Sequence, residues 1–145
     1  MFANLLKTLM GPEVQDLAPR DARVAIAALL VRVARSDNEY VTAEISKIDR
    51  VLAARYELDL IEAQKLRGEG EALEKEAPDT VRFTRAIKDA VPYADRVSVI
   101  EALWQIALAD GERDAEEDAL LRLVASFLGV SDLESAAARK RVSDA

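Results

Sequence analysis

Two stretches of this chain are apolar on every side of a helix, and each ends in the same kind of acidic turn. The first runs from Ala22 to Ala34, interrupted only by Arg23 and Arg32; the second carries Val97, Val99, Ile100, Leu103, Trp104, Ile106, Ala107 and Leu108. A helix without a polar face is stable only where protein surrounds it. The first stretch falls short of the ~20 apolar residues that a membrane span needs. Both are therefore expected at the centre of a helical bundle, with the other elements wrapped round them. The two stretches also correspond at a spacing of 73 residues. Val33-Ala34-Arg35-Ser36-Asp37-Asn38-Glu39 lies over Ile106-Ala107-Leu108-Ala109-Asp110-Gly111-Glu112, and beyond it Glu44 falls on Glu117, Ile48 on Leu121 and Val51 on Val124. This spacing predicts a helical hairpin used twice, its copies related by a pseudo-two-fold axis. Asn38 and Gly111 are the residue types that take a left-handed turn conformation most readily.

The rest of the chain reads as helix and turn. Phe2, Leu5, Leu6, Leu9 and Met10 give residues 2–10 one apolar side, and Gly11-Pro12 stops that segment. Ile45, Ile48, Val51 and Leu52 place a helix over about 42–55. Residues 58–76 read as a more exposed helix weakened by Gly68 and Gly70, and Val81, Phe83, Ile87 and Val91 predict another. Asp114 with Glu117 matches a capping box that opens a helix closed by Gly129, and Ser131 caps a final helix toward Arg141. Strand-like alternation is absent from the sequence, and the 145 residues contain only 5 Gly and 4 Pro. The expected fold is all-α: one domain over 1–145, a bundle of seven to eight short helices. Its core spans about 20–130, with an amphipathic helix at 1–12 and a weakly docked helix or tail at 131–145.

The chain has no Cys and no His. That excludes disulfides, thiolate nucleophiles, zinc–thiolate and imidazole metal sites, and the Ser-His-Asp triad. The formal charge is −7. No basic stripe offsets it, so nucleic acid is not an expected partner. The N-terminus lacks the basic start and long apolar run of a secretory signal, and the protein is expected to be cytoplasmic. Trp104 and the other apolar residues of its helix are expected in the core, and Tyr56 and Tyr93 at helix ends. Arg82, Arg85 and Lys88 read as a solvated face, and Gly68-Glu69-Gly70 is too short for a phosphate loop.

The acidic turns are the candidate site. Asp37 and Asp110 follow helix C-termini, where the dipole disfavours a carboxylate. Together with the carbonyls freed at a helix end, carboxylates are hard oxygen ligands suited to Mg²⁺ or Ca²⁺. Asp37, Glu39 and Glu44 form one candidate ligand set, and Asp110, Glu112 and Glu117 the other. If the pseudo-two-fold axis passes between the turns, the sets build one shared site. The competing reading is that Glu44, Glu116 and Glu117 occupy first helical turns favourable to acids, and that Asp114 is a simple N-cap. An EF-hand is excluded over Asp110 to Leu121, because glycine is missing at its sixth position and Leu121 stands where the bidentate glutamate belongs.

An apolar helix, Ala107-Leu108-Ala109-Asp110-Gly111-Glu112, then Glu117, Leu121 and a second apolar helix resembles the TerB-like domain family named for tellurite-resistance proteins. It is also similar to the N-terminal region of the co-chaperone DjlA. The first copy keeps Asp37, Glu39 and Glu44 but carries Asn38 in place of glycine. The resemblance covers roughly residues 20–130 and implies an all-helical bacterial domain linked to stress response, with divalent-cation binding and without catalysis. The expected function is a non-enzymatic interaction module with an unidentified protein partner. The alternative is a purely structural adaptor or homodimer without a metal site. Residues 2–10 either cap the bundle or dock a partner or a membrane surface.

Overall fold

The computed structural model describes residues 19–36, 40–76, 84–85, 87–89, 91–109 and 115–144, with the backbone alone for 19–21, 115–117 and 144. The segment 2–10, the turns around Asn38 and Gly111 and the Asp114 cap lie outside the described residues. Six helices are assigned as elements among them: α1 (Pro19–Ala34), α2 (Thr42–Tyr56), α3 (Leu60–Glu76), α4 (Tyr93–Ala107), α5 (Ala115–Phe127) and α6 (Asp132–Asp144). Residues 84–85 and 87–89 are also helical, and no described residue is in a strand. The all-α expectation holds.

The two all-round apolar helices are central. In α1, every residue from Val24 to Val31 is buried; in α4, Val99, Ile100, Leu103, Trp104, Ile106 and Ala107 are. The helices pack on each other, and α1 touches α5 as α4 touches α2. Such reciprocal contacts are what a two-fold relation between the halves produces.

The repeat is longer than the hairpin read from sequence. Pro19 begins α1, and Pro92, 73 residues on, is the N-cap of α4. The helix ends match at the same spacing: Arg35 N–H donates to the Val31 carbonyl and Ser36 to Val33, as Leu108 does to Trp104 and Ala109 to Ile106. After the second helix of each half the spacing becomes 72. Leu58 N–H donates to Ala53 O as Val130 does to Ala125, each bond closing over a left-handed residue, Glu57 (φ 53°) and Gly129 (φ 76°). The third helices are then capped alike. Asp59 Oδ1 accepts the Glu62 N–H at 2.8 Å, and Ser131 Oγ accepts that of Glu134 at 3.2 Å. The repeating unit is thus three helices, in which α3 packs on α1 and α6 on α4.

Two expectations are corrected here. The C-terminal helix is docked: Ser135 and Ala138 are buried, Trp104 Nε1–H donates to Ser135 Oγ at 3.2 Å, and Arg141 Nε pairs with Glu101 at 2.6 Å. Small residues let it lie close to α4 despite its polar sequence. Likewise α3 is not weakened by Gly70. It buries Ala63, Leu66, Gly70 and Leu73, and a Cβ at Gly70 would stand 2.8 Å from Ala27 Cβ and 2.9 Å from the Ala28 nitrogen. The missing side chain brings the two backbones into contact. A Cβ at Gly68 would meet nothing within 4 Å beyond its own stretch of helix.

These two glycines should respond oppositely to alanine. Gly70→Ala overpacks the α1–α3 contact and is expected to cost about 1–3 kcal/mol. Gly68→Ala gains helix propensity and should add up to ~1 kcal/mol. Urea midpoints of the two variants check both signs.

Candidate functional site

Of the six carboxylates expected to hold a cation, Asp37, Glu39, Asp110 and Glu112 lie outside the described residues, as does the Glu117 side chain. Glu44 is described, in the first turn of α2 and only 2 % exposed. Glu44 thus occupies a first helical turn as the competing reading has it, but its side chain is inside the protein, where α2 begins. Among the described residues no three acidic side chains are grouped to hold a metal ion.

The start of α2 and the end of α4 nevertheless adjoin one groove. Its walls carry Ala43, Lys47 and Arg50 from α2, Gln105, Leu108 and Ala109 at the end of α4, and Val142 and Ser143 from α6. Ala43 immediately precedes Glu44, and Ala109 immediately precedes Asp110. The start of α2 and the end of α4 therefore share this wall, as the crossed contacts of the halves require. Lys47 and Arg50 bring positive charge to a groove whose described lining has no acid.

The first half contains an ion network that sequence reasoning did not identify. Arg67 of α3 reaches across to α2, with Nε 2.6 Å from Asp49 Oδ1, and along its own helix to Glu71 at 3.2 Å. Asp49 is only 5 % exposed. At the end of α1, Arg35 donates to Glu74 Oε2 at 3.3 Å, and its guanidinium lies 5.1 Å from the centroid of the Tyr40 ring. Arg32 meets the Glu74 carbonyl at 3.3 Å. Asp49, Glu71 and Glu74 are each matched by a guanidinium, so they brace α1, α2 and α3 around the first turn. The Arg67–Glu71 pair was legible as an i,i+4 match. The Asp49 pair was not, because an acid beside Ile48 on a largely apolar face gives no sign of its partner 18 residues on.

Tyr40 stands where the chain enters α2. Burial pushes its phenol well above the ordinary value of 10.0; the Glu71 carboxylate raises it further, and Arg67 opposes the shift. A phenol harder to ionise in the folded state than in the unfolded chain stabilises the fold fully below the unfolded pKa. That contribution is lost as pH rises from about 10 through the folded value. Unfolding free energy should therefore fall with pH above ~10 and fall less steeply in Tyr40→Phe, as urea titrations at pH 9 to 11 would measure. Asp49→Ala leaves the partly buried Arg67 without its closest partner and is expected to cost about 1–3 kcal/mol in the same assay.

The fold is shared with a crystal structure of a protein of unknown function from Porphyromonas gingivalis W83. The TM-score is 0.61 at 18% identity, over 90% of this chain and 96% of that one. None of the curated proteins matches this chain. No helix among the described residues is long and apolar enough to cross a membrane. The model of the family described as tellurite resistance protein TerB matches residues 23–140, from the central helix α1 into α6, and on that match the chain belongs to the TerB family.

Proposed function

We propose that this TerB-family domain is a non-catalytic, cation-responsive interaction module, in which a divalent cation held by the acidic turns fixes the relation between its two halves. The observation that carries this reading is the groove that Ala43 and Ala109 share, since each directly precedes a member of a different ligand set. A single Mg²⁺ or Ca²⁺ drawing on Asp37, Glu39 and Glu44 and on Asp110, Glu112 and Glu117 would tie the halves together where both hairpins turn. Carboxylate oxygens suit these hard ions, and with no Cys or His the chain has no softer set to offer. Lys47, on the same wall, opposes a bound cation and would weaken the site. The ordered surface would then engage a protein partner, in keeping with a stress-associated role.

A second reading is a structural adaptor or homodimer without metal, its acids serving solubility. The pairing of Asp49, Glu71 and Glu74 with arginine favours it, because these three carboxylates of the first half already have protein partners.

Melting temperature in rising Ca²⁺ or Mg²⁺ separates the two. At 100 times its dissociation constant a one-site ligand stabilises by ~2.7 kcal/mol, several degrees for a protein of this size. The cation reading expects that rise in the wild type, a larger response in Lys47→Gln, and none in Asp110→Asn with Glu112→Gln. A rise that survives the double substitution means that other ligands hold the ion. The absence of any rise leaves the adaptor.

A further inference from the structure

The three-helix repeat places unlike charges at equivalent positions of its two halves. Counted from the starts of α2 and α5, Asp49 corresponds to Arg122; counted from the matched caps of α3 and α6, Arg67 corresponds to Arg139. In the first half these positions form the closest ion pair of the network, 2.6 Å between Arg67 Nε and Asp49 Oδ1. In the second half both are arginine. They line one groove with Trp104, Asp132, Ser135 and Ala136.

We propose that this groove binds an oxyanion, a carboxylate or phosphate, in the place that the Asp49 carboxylate holds in the first half. Four observations support the assignment. Neither Arg122 nor Arg139 has an ion pair among the described residues, although Asp132 lies on the same wall; Arg139 instead rests over the Trp104 ring, 5.6 Å from its centroid. Two guanidinium forks facing one groove offer the paired N–H donors that carboxylates and phosphates match. Ser135, buried at the base, accepts the Trp104 N–H through its oxygen and so has its own O–H to donate. The helices that carry the two arginines also stand further apart, since α6 lies less closely against α5 than α3 does against α2. Two sources can supply the anion: a free small molecule, or an acidic side chain of a protein. Leu133, 81 % exposed, lines an adjoining groove that shares Ala136 and Arg139 and would flank a side chain of the second kind.

Both sources are tested on the full chain by calorimetric and amide-shift titration, with inorganic phosphate as one probe. The other is the acetylated, amidated peptide Ala-Leu-Glu-Leu-Ala. Binding of at least one probe is expected, with shifts centred on Trp104, Ser135 and Arg139. Arg122→Asp should weaken it at least tenfold, and Lys65→Gln on α3 should leave it unchanged. Whichever probe binds identifies the source. Equal binding by wild type and Arg122→Asp, or no binding of either probe, overturns the proposal. A second measurement does not depend on the probes. Arg122→Asp restores the charge pattern of the first half and gives Arg139 an internal partner, so it should melt above Arg122→Ala. Melting at or below Arg122→Ala shows that the two positions are not equivalent and overturns the proposal as well.

Discussion

The contact of α1 with α3 through Gly70 is the tightest constraint on this molecule. A helix as uniformly apolar as α1 must be covered on all sides, and α3 covers it at backbone distance because glycine leaves no Cβ between them. Close packing of this kind maximises the apolar area taken from water and the dispersion contacts made in its place. It also fixes where α3 presents its polar side. With Gly70 seated on Ala27 and Ala28, Arg67, Glu71 and Glu74 lie where Asp49, Tyr40, Arg32 and Arg35 can meet them. The ion network around the first acidic turn is thus a consequence of apolar packing.

The second half solves the same problem differently. Its third helix meets α4 through alanine and serine, and the indole of Trp104 reaches the Ser135 hydroxyl. Val142 stands where the first half has Gly70, and Ile100 where it has Ala27, so the second half's outer helix cannot copy the Gly70 contact. The electrostatics diverge with the packing. The first half neutralises Arg32, Arg35 and Arg67 internally, whereas the second leaves Arg122 and Arg139 facing a groove. Two copies of one scaffold thereby acquire different surfaces: one braced and self-satisfied, the other open to an anion from outside.

The groove beside Ala43 and Ala109 is a third surface, built where the halves cross. Residues of α2 from the first half and of α4 and α6 from the second line it, so it belongs to neither half alone. A ligand there would respond to the angle between the halves, which is the property the proposed cation response requires.

Much of this architecture was legible in the residues. The apolar runs 22–34 and 97–108 determine that helices lie at the centre, since their side chains leave no face for water. The 73-residue spacing determines that they are used twice, and Ser131 and Gly129 mark the boundary between the last two helices. That the third helices belong to the repeat escaped notice because Asp59 and Ser131 share a capping role but not a residue type, and the spacing slips from 73 to 72 between them. Gly70 read as a weakness because helix propensity is a local quantity, while its value here comes from Ala27, 43 positions away. Of the candidate cation ligands, the sequence identified the acidic turns as unusual at helix C-termini. Only the tertiary structure decided that Glu44 is buried, that Asp49 pairs with Arg67, and that Arg122 and Arg139 share a wall. Periodicity and composition act along the chain and determine which side chains must be hidden. Which charges meet depends on how close the hidden faces come, and that was settled by the width of single side chains at the helix crossings.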